Sequence, residues 1–362
     1  MRISWIDNLR WLWIILIVLG HSFFPDSSLL VKYLFSFHVA LFFFLSWYLY
    51  NDEKHNDIIV FIKNKLNRLV VPFIAFNLIM FSYYKFAHLA FGTEYNVWLA
   101  QFIKWLLYWI YIPSHPDFVL ANVPTWFLIS LFMVSIYYFV INKFIKNRYY
   151  RIAFLFILSI LIFIESKNIT FRFPWSMEIS VMATLFYWLW HSFKSEITNF
   201  VSKINYYYLI LIPILVWINL YYPSSTNFST NFYWTNYLLF LLDWITGTLT
   251  FVIISKLIWD NKILSYLWKN SVIVLGMEWI KFLVLSMVIS FSFGHLVFEK
   301  SYMIWFVQLF STFVVLFPII FIINKYIPFL LGFNKLSLTC PKGYTHKGIN
   351  LSLEHKGKGL QK

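Results

Sequence analysis

Charge is scarce in this chain. Only 12% of its 362 residues are Asp, Glu, Lys or Arg, against roughly 25% in an average soluble domain. In their place stand 60% hydrophobic residues and a mean hydropathy of +0.69. This excludes a soluble globular fold and points to a polytopic membrane protein, whose apolar runs of about 17 to 25 residues each cross a hydrocarbon core of about 30 Å. No soluble domain of any size fits between those runs. Cysteine is nearly absent. Cys340 stands alone in a polar tail, so neither a disulfide framework nor a thiolate metal site is available. Acidic residues number 15 against 29 basic ones, leaving a formal net charge of +14. In a membrane protein that excess reports orientation first, and nucleic acid is not an expected partner. Glycine is short as well, 10 residues beside 18 Trp, although glycine usually makes up about 7% of a chain.

What is present is a succession of apolar segments. Hydropathy predicts an all-α integral-membrane bundle of about ten transmembrane helices, near residues 9–24, 29–50, 69–92, 122–142, 149–165, 174–193, 205–222, 236–258, 271–293 and 302–326. The first has no small-residue cleavage site after it and reads as a span, not as a signal peptide. Basic residues gather in alternate connections: Lys54, Lys63, Lys65 and Arg68; Lys143, Lys146, Arg148 and Arg151; Lys194 and Lys203; Lys256, Lys262 and Lys269. The positive-inside rule makes those connections cytoplasmic. Arg2 and Arg10 at one end of the chain, and Lys335, Lys342, Lys347, Lys356 and Lys358 at the other, fall on the same side. The expected organisation is a transmembrane domain over 1–333 and a cytoplasmic basic tail over 334–362, in the cell membrane with both termini inside. Membrane lipids are the first partners, and the tail suits anionic headgroups.

The outer connections differ in character. Residues 98–113, WLAQFIKWLLYWIYIP, are too short for a span and read as an interfacial or re-entrant helix. The uncharged stretch YYPSSTNFSTNFYWTN at 221–236 suits either an aromatic belt at the interface or a sugar-binding surface, the belt being the commoner use.

Ionisable residues inside the first span are the clearest chemical signal. Arg10 and His21 are eleven positions apart, about 16 Å of rise and three turns, so they share one helix face. Asp7, three residues before Arg10, lies on nearly the same stripe and can hold the guanidinium. His38 in the next span puts a second imidazole at mid-depth. A lone intramembrane His is more often bonded to a backbone carbonyl, but two at comparable depth suggest a shared cavity. Burial away from charge keeps imidazole neutral, the form a general base needs. No paired ligands stand at metal-site spacing.

These residues carry a resemblance. Arg10, ten intervening residues and His21, following the string IDNLR, resemble the amino-terminal signature of the membrane-bound acyltransferase family 3, and most of all its fucose 4-O-acetylase-like branch. Three more strings agree in order: Phe37, His38, Leu41 to Phe44, Ser46 and Tyr48; Arg68, Leu69 and Pro72; and Pro124, Trp126, Phe127, Leu128, Leu131 and Phe132. The resemblance covers roughly residues 5 to 330. It implies transfer of an acyl group, usually acetyl, from cytoplasmic acyl-CoA to a hydroxyl of a carbohydrate acceptor. His21 is then the catalytic base and Arg10 binds the acyl donor. Asp7, His38, Trp126 and Glu278 line the substrate cavity, and Arg68 and Lys65 are candidates for the CoA phosphates, as well as ordinary topology determinants. Acetyl-CoA or another acyl-CoA is the donor substrate, and no bound cofactor is implied. The implied product is an O-acetylated polysaccharide of the cell envelope. A transporter or flippase for such a glycan is the rival reading, and a non-catalytic scaffold a third.

The chain departs from the family pattern in one consistent way. Trp11, Trp47, Trp190 and Trp268 stand where relatives carry glycine, and glycine at such places allows close helix contact. One account is that UGA codons decoded as glycine in the source are written here as tryptophan; the other is a divergent or inactive member. Glu278 is a further departure, occupying a position where many relatives have His.

Overall fold

The computed structural model describes residues 4–21, 29–48, 57–91, 98–108, 122–168, 173–221, 233, 236–259, 262–278, 280 and 302–332. Cys340, Lys54, the basic tail, most of the 221–236 stretch and the second half of the 271–293 segment lie outside the described residues. Among those described there is no strand. The helices are α1 (Ser4–Gly20), α2 (Leu29–Tyr48), α3 (Ile58–Lys65), α4 (Val71–Phe91), α5 (Leu99–Tyr108), α6 (Trp126–Phe144), α7 (Arg148–Asn168), α8 (Met177–Ser192), α9 (Lys194–Lys203), α10 (Leu211–Tyr221), α11 (Tyr237–Leu257), α12 (Lys262–Lys269), α13 (271–278) and α14 (Tyr302–Tyr326).

Among the described residues, six helical stretches are long and apolar enough to cross a membrane. A seventh arises if α9 and the 206–221 helix, which meet at 101°, count as one bent span. The remaining expected spans correspond to helices of 17 and 16 residues, α1 and α8, or run beyond the described residues. The amphipathic α5 is only 10 residues long, in keeping with an interfacial rather than a spanning helix.

α2 is the hub, packed against α1, α8, α10 and α11. Its Phe37, Ala40, Leu41, Phe43 and Phe44 have no exposed surface. Without a hydrophobic force between helices in lipid, association rests on close packing and hydrogen bonds. Both are visible around α2. A Cβ added at Gly247 of α11 would lie 2.2 Å from the Phe37 ring, so only glycine permits this approach. Asn219 of α10 donates to the Asp243 carbonyl at 2.7 Å and to Ser36 Oγ at 3.3 Å, and accepts from Thr246 Oγ1 at 2.9 Å, tying three helices together. Between α3 and α4 the turn widens, Val71 N–H reaching back five residues to Leu66 O. Pro72 is the cause, since it offers no N–H and its ring crowds the Arg68 carbonyl.

Tryptophan fits less well than the rest. Trp47 is fully buried, and the indole N–H groups of Trp47, Trp188, Trp190, Trp244 and Trp268 are buried with no hydrogen-bond partner among the described residues. Each costs about 1–3 kcal/mol. By contrast, Trp13 donates to His38 O at 2.9 Å and Trp11 to Asn8 Oδ1 at 3.2 Å. Trp175 and Ser176 are the two backbone outliers among the described non-glycine residues, with φ of 59° and 53°, a left-handed conformation that suits glycine and penalises bulky side chains. Three of the four tryptophans at positions where the resemblance implies glycine thus lack an indole partner among the described residues, and position 175, like its neighbour Ser176, has a backbone that suits glycine.

The coding DNA is expected to carry UGA at positions 11, 47, 175, 190 and 268 and UGG at 126. A chain with glycine at those five positions should then unfold about 5 °C or more above the tryptophan chain. UGG at 11, 47, 190 and 268 would retire the recoding account and leave a divergent member.

Candidate active site

α1 begins at Ser4, so a single helix carries Asp7 and Arg10 together with the apolar run. It ends at Gly20, and the backbone N–H of His21 still donates to Ile17 O at 2.9 Å. Arg10 NH1 donates to Asp7 Oδ1 at 3.3 Å, the contact that three-residue helix spacing favours. Asn8 donates to Ser255 O at 3.1 Å and Ile258 O at 3.0 Å, satisfying carbonyls at the end of α11. These bonds anchor the start of α1 at the end of the bundle where α11 finishes.

The partner of the Asp7–Arg10–His21 stripe is the pair α12 and α13. The Arg10 guanidinium sits 4.2 Å from the centroid of the Trp268 ring, a cation–π distance. Further along, His21 Nδ1 lies 3.4 Å from Glu278 Oε2. The eleven-residue interval on α1 is matched by a ten-residue interval from Trp268 to Glu278, so the two segments run side by side in the same direction. They are joined at Asn270, whose carbonyl accepts from Ile273 N–H and Val274 N–H at 2.9 and 3.0 Å. Asn324 of α14 donates to Asn270 Oδ1 at 2.6 Å and fixes that joint from behind.

Glycine and amide contacts hold α13 in place. A Cβ at Gly276 would be 2.3 Å from the Phe76 ring of α4, so the helices touch through bare backbone. Asn122 donates to Gly276 O at 2.7 Å. Thr125 Oγ1 donates to Asn122 O at 2.7 Å and accepts from Asn77 Nδ2 at 3.0 Å, linking α4 and the start of α6 to the same point.

A cavity of about 260 Å³ opens beside Arg10. Its polar lining is Arg10, Ser46, Lys269 and Ser271, and Trp13 and Phe42 are part of its apolar wall. Lys65 and Arg68 do not line it. Arg68 is exposed and Lys65 half-buried, with its ammonium 5.5 Å from the Phe61 ring. Lys269 is the cation at this cavity that the sequence pattern did not single out, though it directly follows Trp268. His38 is buried, and its Nδ1–H donates to Leu34 O at 2.7 Å, the bond expected of a structural histidine. It shares a neighbour with His21: the Phe35 ring lies 4.9 Å from the His38 ring and 6.3 Å from that of His21, centroid to centroid. Trp126 is buried at the start of α6, edge-on to Phe127 at 5.9 Å, and does not line the Arg10 cavity. Asp243 and Glu178 are further buried carboxylates, on α11 and α8. A lone acidic residue in an apolar run was the signal for Asp243.

A family model described as an acyltransferase domain matches residues 3–331, nearly the whole chain. No curated protein and no solved structure matches.

Replacing Gly276 by Ala should overpack the contact with Phe76 and lower stability by about 1–3 kcal/mol. Phe76→Ala in the same chain should recover part of that loss, because it vacates the space the new methyl needs. Thermal unfolding of the single and double variants measures both.

Proposed function

The chain belongs to acyltransferase family 3, and from that membership and the geometry at α1 we propose an integral-membrane O-acyltransferase acting on a carbohydrate. It takes an acyl group, acetyl in the first instance, from cytoplasmic acyl-CoA and places it on a hydroxyl of a cell-surface glycan or its lipid-linked precursor. The observation that carries this reading is the division of one helix face. Arg10 borders a cavity with Lys269 at one end, and His21 stands about 16 Å further along the same face. The basic connections support a cytoplasmic position for the Arg10 end, in a cell membrane with both termini inside. They also support phosphate binding by Arg10 and Lys269, with Lys65 and Arg68 further out at the same basic end.

In this reaction His21 acts as general base. The acceptor hydroxyl gives its proton to the imidazole as its oxygen attacks the thioester carbonyl carbon. The carbon–sulfur bond breaks and CoA leaves as a thiolate that takes up the proton. An ester forms on the sugar, and His21 is neutral again. Arg10 binds the donor, and Asp7 keeps the guanidinium oriented. The apolar wall of Trp13, Ile14, Phe42 and Leu45 beside Arg10 favours exclusion of water, which protects the thioester from hydrolysis.

The test uses the full chain in proteoliposomes with acetyl-CoA and cell-envelope glycan, read by free CoA thiol and by the acetyl mass on the glycan. His21→Ala is expected to lower the rate about 10²- to 10⁴-fold without changing thermal unfolding. Arg10→Ala should raise KM for acetyl-CoA more than it lowers kcat. Absence of acyl-CoA turnover by the unaltered chain would overturn the reading in favour of a glycan transporter or flippase.

A further inference from the structure

We propose that Glu278 is the positioning residue for His21, holding the imidazole in the tautomer that leaves Nε2 free to take the acceptor's proton. This rests on the general-base reading of His21 and adds a partner to it. Glu278 has no exposed surface, and its Oε2 is the atom that faces His21 Nδ1 at 3.4 Å. Its Oε1 is buried with no hydrogen-bond partner among the described residues, which leave the imidazole as the hydrogen-bond contact of this carboxylate. A buried carboxylate costs several kcal/mol that a packed apolar side chain would not. Its presence is therefore a cost to stability, offset only through what it does to its neighbour.

The chemistry of the contact sets the direction of the proton. In this proposal Glu278 acts as the carboxylate, which only accepts, and Nδ1 carries the hydrogen and donates it. Nε2 then has the lone pair, the arrangement in which a carboxylate orients a histidine base and stabilises the imidazolium formed during transfer. The contact is long for a charge-assisted bond, and such bonds commonly tighten when substrate is in place. His38 makes a useful contrast, because its Nδ1–H is committed to the Leu34 carbonyl and no carboxylate stands beside it in a hydrogen bond.

The surroundings are built for position. Gly276, two residues before Glu278, is pressed against Phe76 and held by Asn122. Glu278 is thus carried on a segment fixed within one helical turn of the carboxylate, while His21 follows the last turn of α1 directly. A catalytic group held through rigid elements in this way keeps its reacting atom within a few tenths of an ångström.

The experiment uses the full chain in proteoliposomes with acetyl-CoA and cell-envelope glycan, comparing Glu278→Gln, Glu278→Leu, His21→Ala and the double variant His21→Ala with Glu278→Gln. Glu278→Gln is expected to lower kcat about 10- to 100-fold with KM for acetyl-CoA within about twofold. The double variant should be no slower than His21→Ala alone, since the two groups act as a unit. Glu278→Leu should unfold at the same temperature as the unaltered chain or higher, which separates positioning from a structural role. Should a variant melt lower, rates taken well below its transition still decide through the double-variant comparison. Unchanged kcat in Glu278→Gln beside an inactive His21→Ala, or losses that multiply in the double variant, would overturn this proposal alone. No turnover by the unaltered chain, or full activity in His21→Ala, would overturn the parent reading together with it.

Discussion

Backbone contact between α13 and α4 is the constraint from which the site follows. A methyl group at Gly276 would stand 2.3 Å from the Phe76 ring, so the two helices meet only because one residue offers no side chain. That approach sets where α13 lies, and with it the side-by-side run of α12 and α13 along α1. Trp268 then falls over Arg10 and Glu278 falls beside His21. Asn122, donating to Gly276 O, adds direction to a contact that packing alone would leave free to slide.

The same economy governs the rest of the bundle. In hydrocarbon a polar group has no water to turn to, so each must find a partner within the protein. Asn8 does so at the end of α11, Asn219 between α2, α10 and α11, and Ser130 with Ser180 between α6 and α8 at 3.0 Å. Some buried polar atoms find no partner among the described residues, five indole N–H groups among them, beside atoms such as Thr248 Oγ1 and Ser192 Oγ. Small polar side chains join these helices, and large aromatic ones with a donor strain them, which is why glycine at several of the positions is physically the better fit.

The proposed function is arranged along one helix. Arg10 stands at the basic end, bonded to Asp7, beside a cavity with Lys269. His21 stands beyond an apolar stretch that a free charge would not occupy cheaply. In the proposed reaction, separation of the two by three turns puts donor binding and proton transfer at different depths of one membrane protein.

The sequence by itself determined the class, a helical membrane bundle, because hydrocarbon leaves a spanning backbone no other way to pair its N–H and C=O groups in so apolar a chain. It also determined the Asp7–Arg10–His21 stripe, since helical periodicity is local and the Arg10–Asp7 bond follows from three-residue spacing. Only the tertiary structure decided what faces that stripe. Glu278 is 257 residues from His21, and no local periodicity reports a contact made by helices so far apart in the chain. For the same reason Lys269, and not Lys65 or Arg68, turned out to line the cavity beside Arg10. The 101° bend after α9 was illegible too. Hydropathy averages over a window, whereas helix ends and bends are set by single residues and by the packing around them.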